Sequence, residues 1–258
     1  MTKKVLILAV FLFTGFLTKS IASEDTPAKC ADYIKGTITL KSGKTKEAYI
    51  FIDNCNPHLF QSGIRTIGAK SYEKYKKGKK IKNKAIEKYK SKQIAGFTLD
   101  NGREFKQVKY VDLSATTKLG MLPKRFLLEV VTDGNITVYR KFYRTKNGFI
   151  HKPVIDSRLE GGPNHITFMT NNFEILIQKD KNKNPRNIRN VNLKKYIGDK
   201  HEIDDKYLNG DYEFRTQLQR NPTFATNCDT PFLEALLELV NDYNGHSNSN
   251  YANTTFEN

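Results

Sequence analysis

Four short turn signals, each lying between two segments of alternating polar and apolar residues, dominate the first two thirds of the sequence. Asn101-Gly102 is the strongest of them, because Asn-Gly favours the backbone conformation of a tight hairpin turn. Helical spacing is absent between most of these segments, so they predict an antiparallel sheet built from consecutive hairpins. The four signals are Ser42-Gly43, Asn101-Gly102, Asp133-Gly134 and Asn171-Asn172.

The end of the chain predicts helices instead. Two short candidates span 193–197 and 201–208, and a longer one begins with Thr230 as N-cap and Pro231 in the first helical position. Its apolar residues recur every three or four positions, which predicts a helix covering one face of the sheet; the alternative is a dimerisation helix. The predicted class is α+β and predominantly antiparallel β, a hairpin meander forming a sandwich or a partly open barrel, with a short C-terminal helical region packed on it. The apolar positions of the last helix are Phe232, Leu236, Leu239, Val240 and Tyr243, and Gly245 ends it.

The first 23 residues have the layout of a secretory signal peptide. Lys3 and Lys4 precede an apolar run of thirteen residues, shorter than the roughly 20 that cross a bilayer, and small residues follow. Cleavage is predicted near Ala22 or Ser23, and no later stretch is apolar enough for a transmembrane anchor, so we expect a secreted or periplasmic protein. The alternative is an uncleaved N-terminal anchor or a buried helix. The remaining chain divides into a β-rich domain (24–180), a helical region (181–245) and a disordered tail (246–258).

The first hairpin predicts a disulfide. A two-residue Ser42-Gly43 loop pairs Lys41 with Lys44, whereas a loop that also includes Lys44 pairs Lys41 with Thr45. Residue alternation favours the second register, which collects the isoleucines of both strands on one face. In either register Cys30 lies within one residue of a position facing Cys55, so these two residues are predicted to form a bridge; the alternative is two unpaired thiols. The chain has three cysteines, and the partner of the third, Cys228, stays open.

Catalytic motifs are missing from the sequence. The five histidines lack the spacing of zinc ligands, and there is no C-x-x-C, nucleophile elbow, phosphate loop or dinucleotide fingerprint. The sequence therefore predicts no metal, no cofactor and no catalytic residue. The alternative is a secreted hydrolase whose acid and base come from separate strands. The carboxylates considered for such a site are Asp53, Glu104, Glu129 and Glu160.

Positive charge is concentrated in one segment. The chain has 43 Lys and Arg against 27 Asp and Glu, a net charge of +16, which falls to +13 when the three lysines of the signal peptide are removed. Segment 70–92 alone holds eleven lysines and two glutamates, and its tyrosines could stack on rings. It predicts a non-specific contact with lipopolysaccharide, acidic glycan or nucleic acid; the alternative is a solvated loop. The predicted contact residues are Lys74, Lys76, Lys77, Lys79, Lys80, Lys82, Lys84, Tyr75 and Tyr89.

Three segments resemble a recurrent pattern in a family of secreted bacterial β-rich proteins that has no assigned activity. They are GTITLKSGKTKEAYIFI (36–52), IAGFTLDNGREF (94–105) and FLLEVVTDGNITVYR (126–140). The resemblance covers most of the mature chain and implies export and a β-rich architecture. The expected protein is exported, soluble and non-enzymatic, a binding or envelope-associated protein with a lysine-rich surface. A structural subunit, bound through the last helix or a sheet edge, is a further alternative.

Overall fold

Ten antiparallel strands form one open sheet in a computed structural model of the chain, which describes residues 30–111, 122–142, 173–180, 183–188, 191–213 and 230–245. The predicted signal peptide and the C-terminal tail lie outside these residues. The sheet order is β10-β9-β8-β7-β6-β5-β1-β2-β3-β4. The strands are β1 (Ala31–Leu40), β2 (Thr45–Asp53), β3 (Gly63–Ile67), β4 (Ile86–Lys90), β5 (Ile94–Leu99), β6 (Glu104–Tyr110), β7 (Lys124–Thr132), β8 (Ile136–Phe142), β9 (Phe173–Lys179) and β10 (Arg186–Asn187).

Four helices accompany the sheet in the described residues, and they confirm the predicted α+β, β-rich class. One follows β3, and the other three come after the last strand, at the positions that the spacing predicted. None of them is long and apolar enough to cross a membrane. The helices are α1 (Ala69–Lys76), α2 (Lys194–Ile197), α3 (His201–Asn209) and α4 (Thr230–Asn244), and single 3₁₀ turns span Asn83–Ala85 and Ser91–Gln93.

One apolar core joins the sheet to the C-terminal helices. The buried stripe of α4, with Leu236 and Val240 at its centre, lies in the same cluster as Ile50 and Ile136 of the strands. The last turn of α4 is also hydrogen-bonded to the sheet. The Asn244 amide accepts from the backbone N–H of Ile136 at 3.0 Å and donates to its carbonyl at 2.8 Å. The helix stripe is therefore covered by the chain's own sheet.

The sheet curls although it does not close. The connection between β2 and β3 reaches the other half of the sheet, where the backbone N–H of Leu127 in β7 donates to the carbonyl of Gln61 at 2.8 Å. The Phe60 ring, next to Gln61, packs edge to face against Phe105 and Phe142. The 3₁₀ turn after β4 makes a further link, since the Ser91 hydroxyl donates to the carbonyl of Arg125 at 2.8 Å. These contacts bring the β2–β3 connection and the turn after β4 against β7 and β8 across the open sheet.

The first hairpin forms, but its predicted register is wrong. Its loop is Lys41-Ser42-Gly43, with Gly43 at φ +82°, and the N–H of Leu40 donates to the carbonyl of Lys44 at 2.8 Å. Thr39 therefore faces Thr45, two residues away from the favoured prediction. The glycine takes up the left-handed position that ends a three-residue loop, so the loop starts one residue earlier than predicted. An even shift keeps every side chain on its predicted face.

The start of this hairpin carries the cysteine pair. Cys30 and Cys55 form a disulfide in the structure, with their Cα atoms 5.1 Å apart. The backbone N–H of Asn54 donates to the carbonyl of Cys30 at 2.6 Å, which continues the β1–β2 pairing up to the bridge. Cys228 and the Asn171-Asn172 turn lie outside the described residues. The strand predicted after that turn is present as β9, which pairs with β8.

Candidate polyanion-binding surface

The lysine-rich segment 70–92 runs through four short elements, the last of them the 3₁₀ turn Ser91–Gln93. It begins in α1, continues through an exposed connection and a 3₁₀ turn, and enters the terminal strand β4. Gly78 ends the helix, because at φ +68° its N–H donates to the carbonyl of Tyr75 at 2.8 Å and the next N–H donates to Lys74. The helix and the glycine turn thus follow each other along the segment, with the turn directly after the end of α1.

The helix α1 is held on the sheet by aromatic rings. We call Tyr33, Tyr49 and Phe51, on the outer face of β1 and β2, the aromatic platform. The Tyr72 ring stacks on the Tyr49 ring, with centroids 3.7 Å apart and planes 12° from parallel. The Tyr75 ring meets the Tyr33 ring edge to face at 5.0 Å. These contacts fix the orientation of a helix that has no fully buried residue of its own.

The lysines of the segment point to solvent. All eleven are exposed, and among the residues that the structure describes none of them forms an ion pair with a carboxylate. The segment's own Glu87 is taken by Lys46 of β2, with Nζ and Oε2 2.6 Å apart. Lysines elsewhere are paired more often, as Lys106 with Asp133 at 2.6 Å. The structure therefore leaves a concentrated, uncompensated positive charge on this side of the sheet.

The predicted contact residues divide into two groups. The seven lysines lie together on the exposed side of α1 and in the connection that follows it, whereas the two tyrosines are half-buried. Burial and a hydrogen bond to Asp32 raise the pKa of Tyr75 to about 12. The Tyr89 hydroxyl donates to Glu87 at 2.5 Å, and burial raises its pKa. Contact of these tyrosines with a ligand stays a prediction.

Two features of the surface were missed by the sequence analysis. The first is the aromatic platform, although its signal was present: the isoleucines of β2 alternate with Tyr49 and Phe51, which gives that strand a second apolar face. The second is Arg65 of β3, whose guanidinium carbon lies 4.2 Å from the Phe51 ring centroid. Arg65 is exposed and faces Lys88 of β4 directly in the strand register. We call the lysines of 70–92 together with Arg65 the lysine surface.

Among the described carboxylates considered for a hydrolase, the two glutamates are not close together. Glu129 faces Phe105 across the strands while Glu104 faces Val130, so the two glutamates lie on opposite faces of the sheet. Asp53 accepts the backbone N–H groups of Cys55 and Asn56 at 3.1 and 3.0 Å, which stabilises the turn after β2. Glu160 lies outside the described residues.

Glu129 instead belongs to a buried ionic trio with Arg103 and Arg140. The Arg103 Nε lies 2.7 Å from Oε1 of Glu129, and the Arg140 Nε lies 3.9 Å from Oε2. Burial alone would raise the pKa of the Glu129 carboxyl, but the two guanidinium charges outweigh it and hold the pKa below its ordinary value. A carboxylate held in this way stabilises the fold and does not act as an acid near neutral pH.

A cavity of about 340 Å³ lies beside β6, β8 and β9. Two of its three lining lysines are neutralised within the chain, since Lys106 pairs with Asp133 and Lys183 pairs with Asp180 at 2.7 Å. Over the described ranges, no group of three metal-ligating side chains could hold an ion. The lysine surface is therefore the strongest candidate site in this part of the chain.

Comparisons with protein-family models, with curated proteins and with solved structures find no match to this chain. The resemblance to secreted bacterial proteins stays a prediction, and the function is inferred from the lysine surface itself.

Proposed function

We propose that the chain is an exported, non-enzymatic binding protein whose lysine surface contacts an anionic polymer. The observation that carries the proposal is the exposure of all eleven lysines of 70–92 without an ion pair in the described part of the chain. An anionic polymer carries condensed cations, and lysines that neutralise its charges release those cations, which favours binding. The expected binding is weakly selective and strongly dependent on salt.

The pairing of β3 with β4 supports this proposal. Arg65 and Lys88 are directly opposite each other, and both are exposed. Like charges in facing positions of two strands are destabilising. An anion bound across the two strands would relieve this repulsion, so the arrangement favours a ligand over a purely solvated surface.

Export is supported by the cysteine pair. A disulfide such as Cys30–Cys55 persists in oxidising compartments and is rare in the cytosol. Together with the predicted signal peptide in residues 1–23, it supports a mature protein that acts in the periplasm or outside the cell.

The experiment compares two variants with the same net charge. The test variant changes Lys77, Lys79, Lys80 and Lys82 to Gln, and the control changes Lys44, Lys109, Lys124 and Lys195, which are exposed lysines in other parts of the described structure. Affinity for heparin and for lipopolysaccharide is measured at several salt concentrations. We expect the test variant to lose about tenfold or more in affinity, with a shallower salt slope, while the control stays within about threefold. Equal losses in both variants would show that only the total charge matters and would overturn the proposal.

A further inference from the structure

We infer that the lysine surface recognises charge alone, so that its ligand is a linear polymer with closely spaced phosphate or sulfate groups, bound without ring stacking and without insertion into a bilayer. This inference rests on the proposed function and narrows it to one ligand chemistry. Three observations support it: how the tyrosine rings are packed, where the exposed apolar side chains lie, and which cation the segment contains.

The tyrosine rings are used within the protein. Tyr72 has the Tyr49 ring stacked against it, and the Nζ of Lys76 lies 5.8 Å from its centroid. Tyr75 packs its ring against Tyr33 of the platform. Proteins that bind single-stranded nucleic acid without sequence preference stack successive bases on open aromatic rings. Here the rings of Tyr72 and Tyr75 face the sheet and Tyr89 packs against the core, so the surface lacks a stacking platform for bases.

The segment also lacks an apolar group that could enter a membrane. Among the described residues the exposed large apolar side chains are Leu59, Leu122 and Leu208, and all three lie outside 70–92. A helix that lies in a bilayer interface buries an apolar face there. The apolar side of α1 already packs on the aromatic platform, which leaves its charged side for the ligand.

The cations of segment 70–92 are lysines without exception, and Arg65, the one arginine of the lysine surface, already packs its guanidinium on the Phe51 ring. A lysine ammonium is a hydrated point charge, whereas arginine binds phosphate or carboxylate through a planar fork. Lys70 and Lys74 are one helical turn apart, so they follow each other at roughly 6 Å along the axis of α1. Such spacing suits a polymer with regularly repeated anionic groups better than it suits a single anionic group of defined shape.

The test uses the mature protein and a labelled polyphosphate whose binding is followed by fluorescence anisotropy. The competitors are an oligothymidylate and an abasic oligonucleotide of the same length, which carry the same phosphates with and without bases. Phosphatidylcholine–phosphatidylglycerol vesicles form a third arm, with the lipid phosphate concentration matched to that of polyphosphate. We expect salt-dependent binding of polyphosphate and equal competition by the two oligonucleotides within about twofold, since stacking would favour the one with bases.

The outcomes separate this inference from the proposed function. Competition by oligothymidylate more than about fivefold stronger than by the abasic strand would show stacking and overturn the inference, while the proposed function would stand. Vesicles that compete better than polyphosphate would point to a membrane surface and would also overturn it. Failure of polyphosphate, both oligonucleotides and vesicles to bind at low salt would overturn the proposed function as well.

Discussion

The side-chain amide of Gln61 is hydrogen-bonded to both backbone groups of Phe142, a residue 81 positions later in the chain. The N–H of Phe142 donates to Oε1 at 2.7 Å, and Nε2 donates to the Phe142 carbonyl at 2.9 Å. Both residues are buried. One side chain thus holds the β2–β3 connection against the end of β8.

The change Gln61→Ala is expected to lower the free energy of unfolding by about 2 to 4 kcal/mol, because it leaves a buried N–H and a buried carbonyl without partners. Urea unfolding followed by circular dichroism measures the loss. Gln93→Ala is the matched control: this exposed side chain also accepts a backbone N–H, that of Lys90 at 2.7 Å, but water can replace it. Equal losses in the two variants would contradict the role given to Gln61.

For the ionic trio, we expect the loss of stability in a single variant to be largely restored when all three charges are removed. Glu129→Leu removes the carboxylate that neutralises the guanidinium groups of Arg103 and Arg140, and is expected to cost about 3 to 5 kcal/mol. Changing Arg103 and Arg140 to Met in the same protein removes those charges, so the triple variant is expected to regain most of that stability. Chemical unfolding of both variants provides the measurement, and a triple variant less stable than Glu129→Leu would show that packing outweighs charge at this position.

The Glu129 carboxyl also makes the free energy of unfolding depend on pH in the acid range. The folded pKa of Glu129 is lowered from its ordinary value of 4.5, so its contribution is present above pH 4.5 and is lost as the pH falls through the folded pKa. As the pH is lowered from 6, the free energy of unfolding is expected to fall less steeply for the triple variant, because that variant lacks the carboxyl. Identical slopes would exclude Glu129 as a source of acid sensitivity.

Tyr75 makes the free energy of unfolding depend on pH in the alkaline range. Its pKa is raised by burial and by the hydrogen bond to Asp32 to about 12, compared with an ordinary value of 10.0. The contribution of the protonated Tyr75 hydroxyl to the free energy of unfolding is fully present below pH 10 and is lost as the pH rises towards 12. Spectrophotometric titration of the tyrosines should show one late-ionising group fewer in Tyr75→Phe, and in Asp32→Asn one such group should shift towards pH 10. Burial also raises the pKa of Tyr139 and of Tyr212, so their late ionisation should stay in both variants. An unchanged number of late-ionising groups in Tyr75→Phe would contradict the raised pKa of Tyr75.

The cysteine pair predicts a link between redox state and stability. Removing the Cys30–Cys55 bridge, whose cysteines are 25 residues apart, is expected to cost about 3 kcal/mol. Unfolding with and without reductant should differ in the wild type, and Cys30→Ser should abolish that difference. Mass spectrometry of an unreduced tryptic digest identifies the bridge directly, and a dominant Cys55–Cys228 peptide would contradict the pairing.

The hairpins could be predicted because their signals are local. Alternation placed Ile34 and Ile50 on the same face, and the structure pairs them. The register was missed because a Ser-Gly turn does not specify which residue begins the loop, and Lys41 joined the turn. The rule that a two-residue slip keeps the faces intact explains why the core could be predicted although the pairing could not.

The long-range polar contacts could not be predicted in the same way. Gln61 and Phe142 meet only because the sheet curls, and nothing near either residue in the sequence indicates it. Glu129 gave a partial signal, since it interrupts the run Phe126–Val131, in which both strand faces are apolar. A charge in such a run needs a buried partner, but the sequence does not say that two arginines from neighbouring strands supply it.

The position of β4 at the end of the sheet gives its lysines a second effect, on colloidal behaviour. A second copy that paired with this strand would bring the exposed Lys88 and Lys90 of both molecules together, and charged side chains on a terminal strand oppose such growth. A polymer that neutralises these lysines also removes their mutual repulsion. Mixtures of the protein with a polyanion are therefore expected to precipitate near charge equivalence and to clear again when either component is in excess.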